Sequence, residues 1–64
     1  MTINKATNIE YEHVDLILNE ASAYNLKLEV NDLAIKIINN NLGINIVEAY
    51  QMAYNEIIKK INHD

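Results

Sequence analysis

Residues 38–50, "INNNLGINIVEAY", decide how this chain is read. Asn39, Asn40 and Asn41 run into Leu42 and the chain's only glycine, Gly43; Asn45 then opens a new apolar pattern. Glycine accepts the left-handed backbone that stops a helix. Asparagine three residues ahead of Glu48 matches a capping box, in which each side chain satisfies the other's backbone donor. The stretch therefore reads as one helix ending and another beginning. Two helices joined by a short glycine turn are also the outline of a DNA-reading helix-turn-helix, whose second helix enters the major groove. Gln51 and Asn55 would then offer amides to base edges. Against that reading, Glu48 would meet phosphates near the front of the reading helix, and Lys59 and Lys60 lie far down it.

Downstream, Ile46, Tyr50, Ala53, Tyr54, Ile57 and Ile61 recur at helical spacing and predict a helix over about 46–61. Lys59 and Lys60 fall in its last turn, where the dipole favours cations. Upstream, Val30, Leu33, Ala34, Ile37 and Ile38 form an inner face for a helix over about 29–41. Its start is less sharply marked. "LKLEV" alternates as a strand would, but five residues without a partner make a poor sheet, so the start is placed between Lys27 and Asp32, with Asn31 as one candidate cap. Asp32, Lys36, Asn39 and Asn40 face outward.

Further back, Val14, Ile17, Leu18 and Ala21 give the inner stripe of a helix over about 9–24. Thr7 or Asn8 can cap it, Glu10 and Glu12 suit its positive end, and Asn25 is placed as a left-handed stop after Tyr24. Glu12, Asp15, Asn19 and Ser22 lie on the wet side. The sum is an all-α fold, a compact three-helix bundle forming one domain over residues 1–64, with residues 1–8 a flexible N-terminus. At 64 residues such a bundle has little core, so a homodimer is a live expectation.

Composition excludes several functions. With no cysteine there is neither a disulfide framework nor a thiolate, which favours a cytoplasmic setting. "MTINKATN" lacks the apolar core of a signal peptide, and no apolar run approaches the roughly 18 residues of a membrane span. Nine acidic residues against five lysines, and no arginine, argue against nucleic acid as a partner. Neither a membrane nor a small-molecule substrate is expected as a partner.

Chemistry finds little footing. His13 and His63 stand at opposite ends of the chain, and no cluster of metal ligands surrounds either. Ser22, the only serine, lies nine residues of helix from His13, about 13 Å of rise. There is no glycine-rich phosphate loop and no paired carboxylate in an evident pocket. No enzymatic activity and no cofactor are expected.

What remains is surface. Tyr50 and Tyr54, one turn apart, are read as core rings with hydroxyls reaching water, and Tyr11 as a surface ring. Ile9, Leu16 and Ala23 repeat every seven residues on the side of the first helix away from its inner stripe. Ile35 and Leu42 flank the second helix similarly, and Met52 lies opposite the third helix's stripe. A row of exposed apolar residues in a chain with little core to spare suggests self-association or a partner surface. The candidate partner-binding residues are Ile9, Glu12, Leu16, Glu20, Ala23, Glu48 and Met52.

"ILNEASAYNLKLEV" (17–30) and "VEAYQMAYNEII" (47–58) resemble short helical proteins encoded by phages and prophages of low-GC Gram-positive bacteria. The resemblance runs from Val14 to Ile58 and implies a small accessory protein of a mobile element, with no catalytic residue to carry over. The expectation from sequence is a small acidic protein-interaction module, an adaptor or inhibitor of a host or phage protein. A helix-turn-helix regulator is the alternative, and a structural homo-oligomer the third reading.

Overall fold

The computed structural model describes residues 8–61. It holds three helices, α1 (Asn8–Ala23), α2 (Lys27–Asn40) and α3 (Ile46–Ile61), packed against one another as a compact all-α bundle. The bounds of α3 are those expected from its periodicity. The expected Thr7 cap, the His63 tail and positions 1–7 of the N-terminal segment lie outside the described residues, while Asn8 is already helical.

The first corner is made by asparagine. Asn25 has φ 62°, and the Asn25 N–H donates to the Ser22 carbonyl (3.0 Å) while the Leu26 N–H donates to that of Ala21 (2.9 Å). Those two bonds form a Schellman motif, which satisfies carbonyls left unpaired at the helix end. Leu26 then packs against the core, the apolar contact that usually accompanies the motif. Tyr24, expected inside the first helix, belongs instead to this turn and is exposed.

"LKLEV" is helical. Leu26 and Val30 are four residues apart and face the same way once α2 begins at Lys27, so both reach the core while Leu28 between them turns outward, 75% exposed. Asn31 is therefore not a cap. It lies within α2, and its Oδ1 accepts a 2.6 Å hydrogen bond from the Tyr50 hydroxyl of α3. The N-cap position is Leu26, which makes no side-chain capping bond.

The second corner takes two steps. Asn41 closes α2, its backbone N–H donating to the Ile38 carbonyl (3.3 Å) and its Nδ2 to the Ile37 carbonyl (2.9 Å). A turn follows in which the Ile44 N–H reaches the Asn41 carbonyl (3.0 Å), with Gly43 at φ 94° in its third place. That place in a type II turn demands positive φ, hence glycine. Gly43 thus shapes the turn after the helix rather than ending the helix itself. Asn45 caps α3, its Oδ1 accepting from the N–H groups of Val47 (2.9 Å) and Glu48 (3.3 Å). The same asparagine also ties α3 to α1, its Nδ2 donating to Glu10 Oε2 at 2.7 Å, a contact that the capping-box spacing does not imply.

These contacts set an up-down-up order. Asn45 ties the start of α3 to the start of α1, and the Tyr54 hydroxyl lies beside Glu20 farther along both. The core gathers Val14, Ile17 and Ala21 from α1, Val30 and Ala34 from α2, and Tyr50 and Ala53 from α3, with Ala49 also buried. Half of these buried residues are alanines, so the helix backbones approach closely and little apolar volume is enclosed. Ile61, placed on the inner stripe by its spacing, is 51% exposed, because at the last turn of α3 the stripe has run past its neighbours. Among the described residues no helix is long and apolar enough to cross a membrane.

Candidate functional site

Large apolar side chains lie on the outside of this bundle. Ile9 and Leu16 of α1 are 77% and 65% exposed, Ile35 and Met52 also stand in solvent, and Leu42 in the second corner is 90% exposed. Meanwhile Val30 is the largest fully buried side chain among the described residues. A core half made of alanine, with large apolar side chains left in solvent, points to surfaces meant to be covered.

The row on α1 is the most coherent. Ile9, Glu12, Leu16, Glu20 and Ala23 are spaced by three or four residues, so they share one face, and all are exposed. That face lies across the helix from Val14, Ile17 and Ala21, the residues α1 gives to the core. The helix carries Glu10, Glu12, Asp15 and Glu20 and neither lysine nor arginine, so the apolar row is framed by negative charge alone. Glu20, though exposed, lies beside the Tyr54 hydroxyl of α3. The Tyr54 pKa is raised above its ordinary 10.0, first by desolvation, then by the charges of Glu20 and Tyr24 and by a hydrogen bond to Glu20.

Glu48 and Met52 are one turn apart, and both are exposed on α3. Of the seven candidate residues, five are on α1 and two on α3. Leu28 went unnoticed in the sequence because the alternation of "LKLEV" gave it no helical face. Once α2 starts at Lys27, Leu28 and Ile35 sit seven residues apart on its outer side.

The residues that suggested a DNA-reading helix are otherwise engaged. Gln51 Nε2 donates to Asn55 Oδ1 at 3.1 Å, one turn along α3. The connection from α2 to α3 spans residues 41–45, longer than the three- to four-residue turn of that motif. Tyr50 is buried and Tyr54 packs on the core, as their spacing implies, while Tyr11 is half-exposed. Among the described residues no group of three or more histidine, aspartate or glutamate side chains is placed to hold a metal ion. Comparison with protein-family models, curated proteins and solved structures finds no match to this chain.

Proposed function

We propose that the chain is a small acidic interaction module, without enzymatic activity, that binds another protein through the outer face of α1. One observation carries the reading: Ile9 and Leu16 are large, exposed and seven residues apart on a helix whose fixed charges are all negative. Apolar anchors spaced along one helix face are how helices recognise protein grooves. An acidic frame steers such a face toward a basic surface, because opposite potentials speed encounter and like ones suppress it. The target is then a host or phage protein with an exposed basic region, which the module blocks or recruits, and the setting is the cytoplasm of a cell carrying a mobile element. Glu48 and Met52 form a second, smaller contact on α3. Asp15, Asp32 and Glu56 add negative charge around both patches.

Affinity capture tests this. The chain is immobilised and exposed to lysate of the native host, beside Leu16→Glu and Ile9→Glu variants. A protein retained by the parent chain and lost from both variants at matched helicity supports the proposal. Equal retention by all three overturns it.

A further inference from the structure

The outer face of α2 differs from that of α1 in a way that identifies its occupant. Leu28 is 75% exposed and Ile35 44% exposed, seven residues apart on the side of α2 opposite Val30 and Ala34. Leu42 continues the same spacing into the following turn. Whereas α1 carries only acidic charges, α2 carries Lys27, Glu29, Asp32 and Lys36, two of each sign. Asp32 and Lys36 are both exposed, one turn apart on the same edge of the Leu28–Ile35 row.

We infer that this face pairs with a second copy of the chain, α2 against α2 in antiparallel orientation, about a two-fold axis near Ile35. Such an axis sets Ile35 against its own copy and Leu28 toward the Leu42 end of the partner's helix. It also brings Asp32 within about 3 Å, measured along the helix axis, of the level of the partner's Lys36, and repeats the pair by symmetry. A parallel pairing places the Asp32–Lys36 edge of one copy on the opposite side of the interface from that of its partner, so only the antiparallel one brings the opposite charges together. Two copies joined through α1 would oppose four acids to four acids, and the outer side of α3 offers Met52 as its one exposed large residue before the last turn. Only α2 combines a repeated apolar row with self-complementary charge. This pairing leaves the outer face of α1 free and does not depend on what that face binds.

The chain has no cysteine, so single-cysteine variants report proximity without background. In Ile35→Cys, mild oxidation is expected to give a covalent dimer, while Leu16→Cys and Met52→Cys remain monomeric under the same conditions. Sedimentation of the unaltered chain is expected to show a concentration-dependent dimer, weakened about tenfold or more in Lys36→Glu and restored in the Asp32→Lys/Lys36→Glu double variant. These positions are exposed, and circular dichroism checks that each variant keeps its helicity. A monomer at all concentrations up to about 0.1 mM overturns the inference, since RT ln Kd there is already a weak association. So does cross-linking at position 16 as fast as at position 35. Failure of the double variant to recover what Lys36→Glu loses overturns the antiparallel pairing.

Discussion

At the scale of single residues, three side chains hold the joints. The Tyr50 hydroxyl donates to Asn31 Oδ1 across the α2–α3 interface, and burial of the ring pushes the Tyr50 pKa above its usual 10.0. Tyr50→Phe is expected to cost about 0.5–1.5 kcal/mol in urea unfolding, the net worth of one such bond. Because the folded-state pKa is raised, both states keep the proton below pH 10, where stability is full. Above it the unfolded chain ionises first, so stability falls as pH rises, and a plot of unfolding midpoint against pH should fall less steeply above 10 in Tyr50→Phe. Asn45 is the second joint. Asn45→Ala removes the cap of α3 and the tie to Glu10, at about 0.5–2 kcal/mol, whereas Glu48→Ala should cost less, since Glu48 bonds the Asn45 cap through its backbone N–H, which alanine keeps. A thermal melt of the two variants that ranks them the other way contradicts this account of the cap. Gly43 is the third. No atom crowds a Cβ there, but φ 94° penalises any L side chain, so Gly43→Ala is expected to lose about 1 kcal/mol through backbone strain alone.

At the scale of the helices, α3 was legible to the residue, because Asn45, the regular stripe and the terminal lysines all agree. The left-handed Asn25 was also legible, since few residues other than glycine take that conformation. The start of α2 was not. Leu26, Leu28 and Val30 alternate as a strand would, and Leu26 caps the helix without a side-chain bond, so no local signal marks the boundary. Tertiary burial of Leu26 and Val30 settles it. Asn31 was misplaced for the same reason: its partner, Tyr50, is nineteen residues away in sequence and is invisible to local reading. The four buried alanines have a consequence of their own. Ala53 has no exposed surface, so Ala53→Leu must push α3 from its neighbours and is expected to destabilise by about 1–3 kcal/mol, read as a lowered urea midpoint. Serine or threonine at an outer position such as Asn55 would not.

At the scale of the whole molecule, the outward rows on α1 were partly legible and their meaning was not. Ile9, Leu16 and Ala23 are seen to be on the far side of α1 from spacing alone, but the exposure of Leu28 required the true helix boundary. The distribution itself is the central feature: alanines make up half of the buried core while several large apolar side chains stand outside it, framed by acids on α1 and by mixed charge on α2. Leu16 is exposed, so Leu16→Glu should change folding stability by no more than about 0.5 kcal/mol. The most direct test of the account is therefore affinity capture from host lysate by the parent chain and by Leu16→Glu at equal helicity. The account predicts a protein that the parent retains and the variant loses; identical retained sets would contradict it.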